Sequence, residues 1–393
     1  MTPEARIAAA AEVLDRILDG TSATQALLAW GRASRFAGSG DRNAVRDHVY
    51  DALRRRRSAA ARGGGLTGRG LMIGLLREAG QDPAKFLTGM GHALQPPDAA
   101  EAERWRDPEP GAEALDLPDW LAERFRDALG DDWQTAAETL RLRAPVYLRV
   151  NLAKIERDQA VVELAASGVT SVPSPVSRTA LKVSEGARRI AQTAAYTEGR
   201  VELQDLASQR IAEDLPLSDG LRVLDYCAGG GGKALAIAAL MRGDIACHDI
   251  DPRRMADLPA RARRAGVRVA LVDRAQVDRA APYDLVLCDA PCSGSGSWRR
   301  DPEGKWALTP ERLTELMSIQ DSILDEAAAL VVPGGMLAYA TCSVLKEEDE
   351  DRVNAFLGRH PGWVCRMARR YGLDEGGDGF FAAHLIPPGG AGA

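Results

Sequence analysis

Leu221-Arg222-Val223-Leu224-Asp225-Tyr226-Cys227-Ala228-Gly229-Gly230-Gly231-Gly232-Lys233 passes from a short apolar run through four glycines into a run rich in alanine and leucine. Residues 221–225 read as a buried strand and 234–241 as a helix that begins where the glycines end. The same alternation continues outward: strand 245–249, a helix through Arg264, strand 267–272, then apolar runs at 283–288 and 336–340 separated by a helical stretch. Repeated strand-helix units predict a parallel sheet with helices on both faces, a Rossmann-like doubly wound α/β fold. In such sheets ligands gather outside the carboxyl ends of the strands, where the glycine turn sits.

Glycines at that turn let backbone approach a ligand closely and open a helix N-terminus toward it, which implies a nucleotide-type ligand. The next strand ends in Asp249, where an acid commonly holds a ribose hydroxyl pair, and the third ends beside Asp273. The spacing Gly-x-Gly-x-x-Gly of dinucleotide sites is not cleanly matched. Asp225, just before the turn, would repel a phosphate but can accept a hydrogen bond from the amino group of a sulfonium ligand. These features favour S-adenosylmethionine over NAD and count against an oxidoreductase.

Two of the six cysteines follow directly on strand-like runs, in Asp289-Ala290-Pro291-Cys292-Ser293 and Thr341-Cys342-Ser343. If those strands are parallel neighbours, both thiols reach one crevice although 342 − 292 = 50 positions separate them. A lone cysteine is usually a small buried hydrophobe. The two motifs together point instead to paired thiol chemistry.

The 393 residues, 45% of them hydrophobic, can build two or three folding units with a sizeable core. No apolar stretch approaches the roughly 20 residues of a membrane span, and Met1-Thr2-Pro3-Glu4 opens no secretory segment, so a cytoplasmic protein without membrane association is expected. No Cys-x-x-Cys spacing occurs and the five histidines are scattered, which supports neither a metal site nor a disulfide framework. A net charge of −6 argues against a uniformly basic nucleic-acid coat. Arg54-Arg55-Arg56-Arg57, followed by Arg62 and Arg69 around Gly63-Gly64-Gly65, is the densest basic cluster. It reads equally as a solvated helix end and as a phosphate contact.

Residues 3–57 show helical spacing, as in Ile7, Ala11 and Leu14 and again in Val45, Val49 and Leu53. The Pro-, Gly- and acid-rich stretch 95–118 reads as a linker or long surface loop. From Val146 strands appear, with 146–151 strand-like and 156–166 helical. The expected domains are therefore a helical one at 1–138, an intermediate one at 139–210 and the catalytic one at 211–393. On the helix started by Thr309 and Pro310, Gln320 falls in phase with Leu313, Leu316 and Ile323, so its amide needs partners inside. Arg299, Arg300 and Lys305, close behind the Pro-Cys motif, are candidates to hold RNA phosphates.

Arg149-Val150-Asn151, Gln204-Asp205-x-x-Ser208, the turn 227–233, Asp249, Asp273, Asp289-Ala290-Pro291-Cys292-Ser293, Lys305-Trp306, Gln320 and Ala340-Thr341-Cys342-Ser343 occur in an order that resembles the Nop/Sun family of RNA cytosine-5 methyltransferases. The whole chain resembles the family's bacterial ribosomal RNA (Fmu/Sun) branch, and the match spans roughly residue 148 to the C-terminus. The resemblance implies a class I S-adenosylmethionine-dependent methyltransferase fold with an N-terminal all-helical, NusB-like RNA-binding domain. It implies Cys342 as nucleophile, Cys292 as the residue that assists release, and Asp289 as the acid between cofactor and base. It further implies cofactor binding by Cys227, Ala228, Gly229, Gly230, Gly231, Gly232, Lys233, Asp249, Asp273 and Asp289.

Carbon-5 of cytosine is too weak a nucleophile to take a methyl group unaided, so a thiolate must first add at carbon-6. Chemistry alone leaves the choice of thiol open, because DNA cytosine methyltransferases use a Pro-Cys nucleophile. Structured RNA is the expected partner, small-subunit ribosomal RNA first and transfer RNA second, with a monomeric enzyme. A noncatalytic RNA-binding assembly factor is the alternative of another class, disfavoured by Asp289, Cys292 and Cys342. Two departures stand out: Gly229 and Gly230 replace the Ala and Pro usual in the family's turn, and Val272 stands before Asp273 where glycine is common.

Overall fold

In the computed structural model, which describes residues 1–389, the chain forms two compact units. One joins Met1–Arg143 with Trp298–Leu308; the other holds Ala144–Ser297 and the chain from Thr309 onward. The sequence reading places Trp298–Leu308 with the catalytic residues, whereas these residues pack with the helices.

The first unit is helical: Pro3–Leu18, Ala23–Ala33, Ser39–Arg54, Arg56–Gly63, Gly68–Glu78, Asp119–Leu129 and Trp133–Leu140 are its main elements. Thr2, Ser22 and Thr67 cap three of them by accepting amide hydrogens from the first turn. Close helix packing requires glycine at Gly74, where a Cβ would lie 1.9 Å from the carbonyl oxygen of Ala59.

The stretch 95–118 is not a free linker. It carries a short helix, Ala99–Glu103, and buries Leu115 and Leu117. Between those leucines, Asp116 is fully buried with φ 56°, in the left-handed region that short polar residues tolerate. Its carboxylate accepts from the amides of Arg57 and Ser58 (2.8 Å each), from Ser58 Oγ (2.8 Å) and from Arg141 Nε (2.7 Å). Asp116→Ala strands two buried amides and a buried hydroxyl and leaves Glu78 as the carboxylate partner of the half-buried Arg141, so urea unfolding of the full chain should show a loss of about 2–3 kcal/mol.

The Arg54–Arg57 cluster is likewise spent on contacts within this unit. Arg54 pairs with Asp51 and donates from Nε to Arg299 O at 2.7 Å; Arg55 pairs with Glu78; Arg56 lies over Trp306; Arg57 pairs with Asp119. Lys305 is buried and donates to Arg54 O, and loss of hydration pulls its pKa down to about 8. Arg299 is buried too, so neither it nor Lys305 is displayed to RNA phosphates as expected.

The second unit begins with a four-stranded antiparallel sheet in the order β2-β3-β1-β4, built from β1 (Val146–Val150), β2 (Thr170–Pro173), β3 (Ala180–Glu185) and β4 (Val201–Leu203). Helix Arg157–Ala166 covers it through Ala160 and Leu164. The larger sheet has the order β10-β11-β9-β8-β5-β6-β7: β5 (Arg222–Asp225), β6 (Asp244–Cys247), β7 (Ala270–Leu271), β8 (Tyr283–Asp289), β9 (Val331–Thr341), β10 (Val364–Tyr371) and β11 (Phe380–Ile386). Strands β5 to β9 are parallel; β11 and β10 close the edge antiparallel. This is the expected doubly wound sheet.

The central strands are dry on both faces, which explains their unbroken apolar runs: Val223, Leu285 and Leu287 join one core cluster, and Leu224, Val286 and Leu337 the other. The strand order reverses between β5 and β8, since β6 and β7 extend to one side and β8 and β9 to the other. That reversal opens a crevice at the carboxyl ends of β5 and β8.

Candidate active site

The glycine turn leaves β5 at the reversal point and feeds helix Gly232–Leu240. Gly229 and Gly231 sit at φ 51° and 73°, and a Cβ at Gly231 would meet Leu258 at 2.3 Å. The Ala228 amide bonds His248 O at 2.8 Å, and the Gly229 amide bonds Asp249 Oδ2 at 2.8 Å. Asp249, buried beyond β6, also accepts from the Asp251 amide at 3.0 Å and pairs with Arg254. Asp273 is an N-cap: it accepts from the Gln276 amide at 2.7 Å while Gln276 bonds back, a reciprocal capping box.

A cavity of about 790 Å³ opens at this edge, lined among others by Cys227, Asp249, Ile250, Asp273 and Pro291. Of the expected cofactor residues, Cys227, Asp249 and Asp273 line it, whereas Ala228, the four glycines, Lys233 and Asp289 do not. Sequence reading missed its other wall, where Tyr226, Arg274 and Glu326 are joined by hydrogen bonds. Ile250, on this lining, is 94% exposed.

Beneath the turn Asp225 is buried, and its Oδ1 has no hydrogen-bond partner among the described residues. Burial first, then the nearby Asp289 charge, pushes its pKa up to about 7, with Lys233 pulling the other way. A lone buried carboxylate oxygen beside a glycine turn suits a ligand bearing an ammonium group. Lys233, itself buried, pairs with Asp289 at 2.7 Å and stands 5.0 Å over the Phe380 ring.

Parallel register sets the thiols. Asp289 on β8 faces Ala340 on β9, so Cys292 and Cys342, three and two residues further along, emerge side by side. Their sulfurs lie 3.3 Å apart. The Cys292 thiol is held well above the ordinary range by its hydrogen bond to Cys342, then by burial, with the Glu348 charge adding to both. Cys227 is also pushed up, by burial and then Asp225, which suits an inert thiol at the glycine turn.

Other motif residues tie elements together. Arg149 donates to Gln204 and to Gly232 O (2.8 Å), anchoring β1 to the turn; Gln204 donates to Ser208 Oγ at 3.1 Å; Asn151 donates to Ala265 O at 2.8 Å; Asp205 caps helix Leu206–Asp214. Gln320 finds its partners in Pro291 O (2.9 Å) and Glu348 Oε1 (3.1 Å), directly behind the Cys292 loop. Among the described residues no His/Cys/Asp/Glu cluster suits a metal, and no helix is long and apolar enough to cross a membrane.

A family model described as "16S rRNA methyltransferase RsmB/F" matches residues 212–386, and one described as "Methyltr_RsmF/B-like, ferredoxin-like domain" matches residues 117–188. The ribosomal RNA small subunit methyltransferase B of Xylella fastidiosa (strain Temecula1 / ATCC 700964) is 35% identical over 305 residues, 72% of this chain and 70% of that protein. The protein of that name from Salmonella typhi is 34% identical over 68% of this chain and 66% of its own length. Among solved structures, PH0851 is 26% identical with a TM-score of 0.77, covering 98% of this chain and 99% of that one. A methyltransferase homolog protein from Pyrococcus horikoshii shares the fold, at 24% identity and a TM-score of 0.62 over 70% of this chain and 97% of that one. With the sheet, the turn and the matched sequence in agreement, the chain belongs to the RsmB/F family of 16S rRNA methyltransferases.

Proposed function

We propose that this protein, acting as a monomer, methylates carbon-5 of a cytidine in small-subunit ribosomal RNA through a covalent bond between the base and Cys342. The observation that carries this reading is the 3.3 Å pair of thiols at the ends of β8 and β9, beside Asp289 and the glycine turn. The names of the relatives, ribosomal RNA small subunit methyltransferase B, support the substrate class.

S-adenosylmethionine, the cofactor of this methyltransferase, supplies an electrophilic methyl group when bound. Asp225 would hold its ammonium group and Asp249 its ribose, with Cys227 and Asp273 along the wall and the amides of 228–232 and Lys233 framing the turn. Cys342 adds as a thiolate to carbon-6, which raises electron density at carbon-5. Asp289, which pairs with Lys233 at 2.7 Å, hydrogen-bonds the cytosine edge in this reading. At release the carbon-5 proton leaves, the carbon-6–sulfur bond breaks and the electron pair returns to Cys342. Cys292, kept as a thiol beside it, protonates the departing sulfur and as a thiolate takes up the carbon-5 proton.

The target cytidine must leave its stack to reach these atoms, so an unpaired or flippable base is required. We assign RNA contact outside the pocket to the helical unit, where Arg32, Arg35, Arg42 and Arg46 stay exposed while the Arg54–Arg57 cluster does not serve it. Bisulfite sequencing of ribosomal and transfer RNA from cells lacking the gene, complemented with wild type or Cys342→Ala, tests the reading. One ribosomal cytidine should lose methylation and regain it only with wild type; full methylation everywhere in the deleted strain sinks the proposal.

A further inference from the structure

Seven consecutive charges, Lys346 to Arg352, follow the Cys342 loop, yet Glu348 and Asp349 in their midst have no exposed surface. Glu348 Oε1 accepts from the Ser293 amide (2.8 Å) and Gln320 Nε2 (3.1 Å), and its Oε2 accepts from Ser343 Oγ (2.6 Å) and Ser293 Oγ. Ser293 follows Cys292, Ser343 follows Cys342, and Gln320 also holds the carbonyl of Pro291 just before Cys292. One carboxylate therefore grips both thiol loops. Asp349 steadies the other side of Cys342, accepting from Thr341 Oγ1 at 2.6 Å and pairing with Arg370.

We propose that Glu348 is a positioning residue for the reaction described above, setting the register between the two thiol loops and hence the spacing of their sulfurs. Burying a carboxylate is costly unless its lone pairs are filled, and here four donors from three segments fill them. The β8–β9 register ends at Asp289 and Ala340. Beyond it the loops also meet directly, through Gly296 N to Cys342 O (3.0 Å), Ser295 Oγ to Ser343 Oγ (2.9 Å) and Val344 N to Ser295 Oγ (2.9 Å), and Glu348 adds a side chain that binds the residues following both cysteines. A shift of about 1 Å between reacting groups can cost about 10²-fold in rate. The inference rests on the proposed reaction for its kinetic readout but not for its geometric one.

The test uses the full-length enzyme with Glu348→Gln, which replaces an acceptor oxygen by a donor, and Glu348→Asp, which keeps the charge but falls one methylene short. Two measurements are made: methylation kinetics, and the rate at which diamide joins Cys292 to Cys342, read by peptide mass. For both variants kcat should fall about 10²-fold, while KM for RNA and the S-adenosylmethionine dissociation constant stay near wild type, and diamide cross-linking should slow at least about tenfold. Wild-type kcat and cross-linking in Glu348→Gln would overturn the proposal, as would equal losses of cofactor affinity, thermal stability and kcat, or full rescue by Glu348→Asp. If wild type methylates no cytidine but cross-linking still slows in the variants, the reaction fails and the positioning role stands.

Discussion

Cys342→Ala is expected to lose methylation by about three orders of magnitude or more and to form no covalent RNA complex, whereas Cys292→Ala is expected to trap one. The asymmetry follows from the roles of two sulfurs only 3.3 Å apart. In the proposed reaction, without Cys342 nothing adds to carbon-6, so carbon-5 never becomes nucleophilic. Without Cys292 addition proceeds, but the departing sulfur and the carbon-5 proton lose their partner, and the bond to RNA persists. Denaturing gel electrophoresis with labelled RNA reads both outcomes directly. An adduct with Cys342→Ala and none with Cys292→Ala would reverse the assignment and make Cys292 the nucleophile.

The second large effect belongs to Asp225. Its folded-state pKa of about 7 lies above its ordinary 3.8, mainly through burial. Between those values the unfolded chain releases a proton that the folded chain retains, so stability falls as pH rises across that window and stays low above it. The shift corresponds to about 4 kcal/mol as an upper bound. Asp225→Asn removes the penalty and should raise the melting temperature of the cofactor-free protein at pH 8, with little change at pH 4.

The same substitution removes a charged acceptor for an ammonium group, so S-adenosylmethionine affinity should fall about 10- to 100-fold. In wild type that affinity should weaken as pH drops below about 7, because binding must then expel the proton. Titration calorimetry and melting curves over pH 4–8 check both; pH-flat binding together with an unchanged melting temperature in the variant would remove Asp225 from the cofactor site.

Which of these features were legible in the sequence depends on how local their cause is. The turn at 227–233 announces itself because glycines are needed where φ is positive, and the parallel sheet because strands dry on both faces carry unbroken apolar runs. From those two facts the meeting of Cys292 and Cys342 follows by register. Glu348 and Asp349 were hidden, since a run of charges reads as a solvated helix start until the hydroxyls and amides of distant loops are seen converging on it. The Arg54–Arg57 cluster misled for a related reason: its partners Glu78, Asp119 and Arg299 O lie far off in sequence. The stretch 95–118 reads as a linker from its prolines and glycines, but Leu115, Asp116 and Leu117 turn it inward.

Trp298–Leu308 gives the chain an unusual order of assembly. Trp298 stacks on Phe125, Trp306 Nε1 donates to Leu53 O at 2.7 Å, and Glu303 accepts from the Ala23 amide at 3.1 Å, so the helical unit borrows parts made long after its own helices. On the ribosome, strands β1 to β8 are all synthesised before the last piece of the first unit appears. A fragment ending at Arg143 is left with an open seat for Trp298, and one starting at Ala144 carries that tryptophan without its socket. The N-terminal helices are thus no detachable module: supplied as separate chains, the two fragments can complete the helical unit only by finding each other.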